Sequence, residues 1–236
     1  MTKEPKKYGN FINGKWVKPS KEDYFPTKNP ANPNEVLAYF PNSTVDDTKE
    51  AIDAAEDAYE AWRDTPPPHR GEILFKIAEV LIKRKEELAR LVTMEMGKVV
   101  AEGRGDVQEA IDTAYYMGAE GRRLFGHTTT SELRNKFAMT IRMPIGVCGL
   151  ITPWNFPIAI PSWKIFPALI CGNTMVLKPS SDTPLCAATF IEILLIYIFH
   201  STILQVVLIL NLVLSFLLIY MVIYTLRNLK WLDYQS

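Results

Sequence analysis

The sequence predicts an α/β fold: an incomplete, Rossmann-like parallel sheet, preceded by an N-terminal hairpin and helices and followed by a hydrophobic helical tail. Three observations predict it. Residues 146–184 read as a buried strand–helix–strand unit whose short apolar strands suit a sheet covered on both faces. Residues 44–124 carry apolar side chains at helical spacing, punctuated by Pro and Gly where helices start and stop. After Glu192 charge vanishes until Arg227, Lys230 and Asp233.

The elements follow in order. Phe11-Ile12 and Lys15-Trp16-Val17 flank Asn13-Gly14, the strongest short-range hairpin signal. Residues 18–42, rich in Pro and Asn, are expected to form loop or short extended pieces. A helix starts near Thr44, with Asp47 three residues on as a capping-box-like acceptor. It turns Val45, Ile52, Ala55, Tyr59 and Trp62 to one side and ends before Pro66-Pro67-Pro68. The next spans about 69–83, with Ile73, Leu74, Ile77, Val80 and Leu81 as its stripe. Residues 86–96 continue helically to a C-cap at Gly97, and a further helix covers roughly 99–124. Residues 136–143 alternate well enough to be a strand leading into Pro144. Then come a strand at 147–151 and a helix at 157–170, with Pro161 in its first turn and a kink at Pro167. Gly172-Asn173 ends that helix, a strand follows at 174–177, and Pro184 opens another helix.

Composition narrows the function. Basic and acidic residues balance at 26 each, so no nucleic-acid partner is expected. The three cysteines, Cys148, Cys171 and Cys186, show no CxxC spacing, and an odd count points to a reducing compartment. Each reads as a buried structural thiol, not a nucleophile. His69, His127 and His200 have no metal-ligand spacing, so no metal is expected. Trp62, Trp163 and Tyr115-Tyr116 read as core or interface, and residues 83–87 as a solvated helix face. The lysine-bearing N-terminus has no apolar run behind it and does not read as a signal peptide.

In open α/β sheets ligands bind beyond the carboxyl ends of the strands. The turns at 152–155 and 178–181 both fall there, on neighbouring strands. PWNFP at 153–157, Lys164, PALICGNT at 167–174 and LKPSSDTPL at 177–185 together resemble the aldehyde dehydrogenase superfamily. FINGKWV at 11–17, the helix ending in Trp62 and RMPIGV at 142–147 fit it too, so the resemblance covers residues 10 to about 192. It implies NAD(P)-dependent oxidation of an aldehyde to a carboxylic acid: a cysteine thiolate attacks, hydride passes to NAD or NADP, and a thioester is hydrolysed.

The resemblance assigns roles residue by residue. Asn155 matches the asparagine that stabilises the oxyanion, although an isolated Asn before a helix is usually a turn cap. Lys178 resembles the lysine that holds the adenosine ribose; without its motif it would read as an ordinary solvated lysine. Ser181, with Ser180 in the same turn, stands where NAD-preferring relatives often carry a glutamate against the ribose 2′-hydroxyl. A serine there favours NADP, or use of both cofactors. Ile151, Thr152, Pro153 and Trp154 would line the nicotinamide-ribose side, mostly through backbone. A cytoplasmic location and homo-oligomeric intact relatives are further implications.

Residues 1–192 are therefore expected to be a partial cofactor-binding domain and 193–236 a hydrophobic tail. The family's next strand, its glutamate in a Glu-Leu-Gly-Gly setting and its nucleophile in a Gly-Gln-x-Cys setting are not found in the sequence. Oxidation by this chain alone is accordingly not expected, because no covalent intermediate would form. A helix over 203–226 would be about 36 Å long at ~1.5 Å per residue, enough to span a bilayer. Arg227 and Lys230 follow directly, with Trp231 and Tyr234 placed for an interface. The span is a candidate transmembrane helix that would bring membrane association, making the chain a non-catalytic, membrane-tethered nucleotide-binding or interaction module. The other reading, a truncated gene or a misread exon boundary, is favoured because the change interrupts a helix.

Overall fold

The computed structural model describes residues 4–196 and 204–206. Two antiparallel hairpins begin the chain. In the first, β2 (Asn10–Ile12) pairs with β3 (Lys15–Val17), after the short β1 (Lys6–Lys7). Ile12 opposite Lys15 leaves Asn13-Gly14 as a two-residue turn, and both have positive φ, 49° and 77°. That is the type I′ pattern, whose twist matches the strands. The second hairpin corrects an expectation: residues 18–42 are not mainly loop. They build β4 (Tyr24–Asn29) and β5 (Asn32–Pro41), with β1 running parallel on the far side of β5. Pro26 lies on the edge strand β4, and Pro33 and Pro41 lie near the ends of β5, places where a missing N–H is tolerated.

The helices follow the sequence closely. α1 (Val45–Asp57) has the full capping box: Asp47 N–H donates to Thr44 Oγ1, and Thr44 N–H donates to Asp47 Oδ2 at 2.6 Å. Ser20 N–H also donates to Asp47, so the box anchors the preceding loop. Thr44→Ala is expected to lower stability by about 1 kcal/mol, seen as a lower urea midpoint at unchanged slope. The expected single helix breaks at Ala58 and resumes as α2 (Tyr59–Arg63). Trp62 is core, and its indole N–H donates to Leu169 O at 3.2 Å. α3 (Pro67–Lys83) starts on a proline, α4 (Lys85–Met96) ends at Gly97 with φ 90°, and α5 (Val100–Glu120) packs against both. Where α3 crosses α5, a Cβ on Gly71 would stand 2.3 Å from Gly118 O, so this contact needs glycine.

Residues 136–143 form far less strand than their alternation suggests. Only β7 (Ala138–Met139) pairs, with β6 (Thr128–Thr129). Phe137 and Ile141 are 70% and 67% exposed, so no face of this segment is buried against the rest of the fold.

The central unit is β8 (Val147–Ile151), α6 (Ala159–Ile170), β9 (Thr174–Lys178), α7 (Pro184–Leu194) and β10 (Leu204–Val206). Its sheet runs β3-β2-β10-β9-β8. β8, β9 and β10 are mutually parallel, and β2 joins β10 antiparallel with Phe11 opposite Val206. The sheet is therefore mixed, not purely parallel, because the N-terminal hairpin completes it. Among the described residues β8 is an edge strand of this sheet. Residues of β9 alternate between two apolar layers. Met175 and Leu177 join Phe166, Leu169 and Phe190 of α6 and α7, while Val176 joins Ala51, Ile52 and Ala55 of α1.

The hydrophobic helical tail is corrected at its start. Residues 204–206, placed at sequence level in a transmembrane helix over 203–226, form a strand, the one expected to be missing after α7. The rest of that span lies outside the described residues. Among the described residues no helix is long and apolar enough to cross a membrane.

Candidate functional site

β8 and β9 bring the two sequence motifs together. Their register pairs Val147 with Thr174 and ends with Ile151 opposite Lys178. One step further, Thr152 N–H donates to Lys178 O at 3.2 Å, so the two carboxyl ends leave the sheet side by side. Thr152 is buried, and its Oγ1 has no hydrogen-bond partner among the described residues. Lys178 is 8% exposed, and burial lowers the pKa of its ammonium against the opposing pull of Asp182. A buried hydroxyl without a hydrogen-bond partner among the described residues, and a lysine whose stem is buried on the adjacent strand tip, present polar groups to a ligand.

The remaining predicted residues divide. Pro153, Trp154 and Asn155 are exposed in the turn before α6, and Ile151 is half-buried. Trp154 and Ser181 share a cavity of about 370 Å³ with Lys28, Glu95 and Thr183. Asn155 and Lys178, expected to share one hollow, do not line it; its walls are β4 and the turn after it, the end of α4 and residues next to the two tips. Ser180 is held within its own turn: Asp182 N–H donates to Ser180 Oγ at 3.2 Å. The side-chain amide of Asn155 makes no hydrogen bond among the described residues, which leaves its NH2 available as a donor.

Three charged residues that sequence reasoning passed over build this region. Glu95, in the last turn of α4, accepts from Thr27 Oγ1 at 2.9 Å, Leu185 N at 2.7 Å and Cys186 N at 2.6 Å. It thereby caps α7, whose first residue, Pro184, has no N–H to satisfy. Burial pushes its carboxyl up to about 7, with the donors pulling the other way. Lys98 donates to Asn155 O at 2.8 Å and stands 3.6 Å from Asp106 Oδ2. Asp106 Oδ1 accepts from Ala159 N at 2.6 Å, at the start of α6. Burial raises the Asp106 pKa, and the Ala159 N–H and the Lys98 charge oppose the shift. A signal was present: Asp106 interrupts the apolar stripe of Val107, Ala110, Ile111 and Ala114, and Glu95 continues that of Leu88 and Val92. A carboxylate on the buried face of a helix requires partners.

No cysteine lines this cavity. Burial pushes the Cys148 thiol up to about 11 and raises Cys186 well above its ordinary value. Cys171 departs from expectation: at the C-cap of α6 it is exposed, since its helix ends at the surface. Of the core and interface alternatives for Trp163 and Tyr116, their exposure removes the first; both line a second cavity, of about 410 Å³, between α5 and α6. Among the described residues no cluster of His, Cys, Asp or Glu could hold a metal ion.

A mixed sheet flanked by helices, with two polar turns leaving adjacent parallel strands at their carboxyl ends, defines an α/β protein of the ligand-binding kind. Comparison with known proteins narrows the class. The model of the aldehyde dehydrogenase family matches residues 16–210, past residue 192 and through β10. The chain is 42% identical over 188 residues to alpha-ketoglutaric semialdehyde dehydrogenase of Bacillus subtilis, covering 80% of this chain and 38% of that protein. It is 41% identical over 184 residues to malonate-semialdehyde dehydrogenase 1 of Geobacillus thermodenitrificans, covering 78% and 38%. The crystal structure of an NADP dependent enzyme of E. coli superposes with a TM-score of 0.84 at 36% identity, over 87% of this chain and 42% of that one. The chain belongs to the aldehyde dehydrogenase family. It spans about two fifths of the length of these curated relatives.

Proposed function

We propose that this chain supplies the cofactor-binding strands and the oxyanion-stabilising amide of an NAD(P)-dependent dehydrogenase that oxidises an aldehyde to a carboxylic acid. The names of its relatives support a semialdehyde as the substrate class. The observation that carries the reading is the pairing of Ile151 with Lys178, which sets the Asn155 turn beside the Lys178–Ser181 turn. Bound NADP or NAD supplies the acceptor for the hydride that leaves the substrate. Lys178 and Thr152 are the groups we assign to its ribose and phosphate oxygens: the unpartnered Thr152 hydroxyl and the partly desolvated Lys178 ammonium both fit that role. Ser181 and Lys28 on the wall of the same cavity favour the 2′-phosphate of NADP, Ser181 by donating a hydrogen bond and Lys28 by charge. The Asn155 NH2 donates to the oxygen on which negative charge develops, an interaction worth on the order of 3 kcal/mol in such sites.

The thiolate is the missing participant. No Gly-Gln-x-Cys segment occurs in the 236 residues, and the thiols of Cys148 and Cys186 are both shifted away from ionisation. Calorimetric titration of the purified chain is expected to show saturable binding of NADP⁺, tighter than that of NAD⁺, with no NADPH formed from malonate semialdehyde. Failure of both cofactors to bind contradicts the cofactor reading, and turnover above background contradicts the assignment of the cysteines.

A further inference from the structure

We propose that Lys98 and Asp106 are positioning residues that set the orientation of the Asn155 turn; the inference rests on the role given to Asn155 above. Lys98 follows the left-handed Gly97 that ends α4, and Asp106 lies in the second turn of α5, so both belong to the helical layer and neither to the turn they hold. The pair is almost fully enclosed, with side chains 6% and 0% exposed. Lys98 Nζ reaches the carbonyl of Asn155 itself, at 2.8 Å, and stands 4.1 Å from the centre of the Phe156 ring. Asp106 Oδ1 takes the N–H of Ala159 at 2.6 Å and so fixes where α6 begins. A grip on the carbonyl of Asn155 and another four residues later leave little freedom to the peptide planes between them.

The backbone also ties the far end of the turn, where Ile160 N–H donates to Phe156 O at 3.1 Å, but the Asn155 carbonyl itself accepts from Lys98. The other charges close to the pair lie further off: Glu95 and the Cys186 thiol stand on the α7 side of α4. Among the described residues Asp106 Oδ2 has no hydrogen bond within normal limits, and the Lys98 ammonium stands 3.6 Å from it, so the two residues are coupled. A buried ion pair of this kind is a poor means of adding stability, because desolvation offsets most of its attraction. Its effect here is directional: it aims a backbone whose side chain, Asn155, projects to the exposed side.

The test is solution NMR on the isotopically labelled full chain. Lys98→Met alone would strand a buried carboxylate, so it is made together with Asp106→Asn, whose amide oxygen still accepts from Ala159; Asp106→Asn alone is the reference. Removing Lys98 is expected to shift the Asn155 carbonyl ¹³C resonance upfield. It is also expected to change the residual dipolar couplings of the amides at 155–158, while those of α3 stay as they are. Unchanged couplings at 155–158 despite a shifted carbonyl overturn the proposal. So does a double variant that fails to fold where Asp106→Asn folds, because the pair would then be structural. NADP⁺ titration of the wild-type sample separates the two claims: couplings that respond as expected without any cofactor binding leave the positioning role standing and refute the reading of the site.

Discussion

Replacing Lys178 by methionine is expected to weaken NADP⁺ binding by roughly tenfold to a hundredfold, the cost of one hydrogen bond to a charged group at ~1.5–3 kcal/mol. The fold should not suffer. Lys178 sits at the end of β9 with 8% exposure, and methionine keeps the length and volume of its buried stem. Burial holds the folded pKa of Lys178 below that of the unfolded chain. The charged form therefore opposes folding at lower pH, and the opposition lifts as pH rises through the folded value. Methionine removes it at every pH. Weaker binding in calorimetry, with an equal or higher urea midpoint, is the expected combination. A variant that loses affinity only in proportion to lost stability would make Lys178 a structural residue.

The largest effect on the fold is expected at Glu95. Its folded pKa of about 7 lies above the ordinary 4.5, so its contribution to stability is fully present below about 4.5 and is lost as pH rises through about 7. At 1.36 kcal/mol per pH unit, that window is worth about 3 kcal/mol. Glu95→Gln has no proton to lose, so its stability should stay level where the wild type declines. Urea denaturation at pH 5, 6, 7 and 8 should show the difference moving in favour of glutamine by up to about 3 kcal/mol. Parallel curves would mean that Thr27, Leu185 and Cys186, which all donate to this carboxylate, fully offset its burial. The consequence reaches the site, since Glu95 caps α7 and lines the cavity that Ser181 and Trp154 share.

Local chemistry made much of this molecule legible. Asn13-Gly14 names a turn type without help from the rest of the chain, and Thr44 with Asp47 announces α1 through a contact three residues long. The order strand, turn, helix, strand placed Asn155 and Lys178 at adjacent tips before any coordinates did, because parallel strands joined by a short helix are neighbours. What depends on distant partners was not legible. β5 forms despite its prolines because β1 and β4 pair with it from both sides. Leu204–Val206 sits in an apolar run that suits a helix equally well, and its pairing with β9 and β2 decides for strand. The alternation at 136–143 promised a buried face that no other element supplies. In the site, motif spacing pointed to Asn155, but the groups that hold its turn stand in the α4–α5 link and on α5, some fifty residues earlier.

If the tips of β8 and β9 form one cofactor site, the backbone and indole N–H resonances of the labelled chain report it during titration with NADP⁺. Saturable shifts at Thr152, Trp154, Lys178 and Ser181 that share one dissociation constant are expected, with α3 unmoved. Saturable shifts confined to other elements, or at one tip without the other, would contradict a shared site.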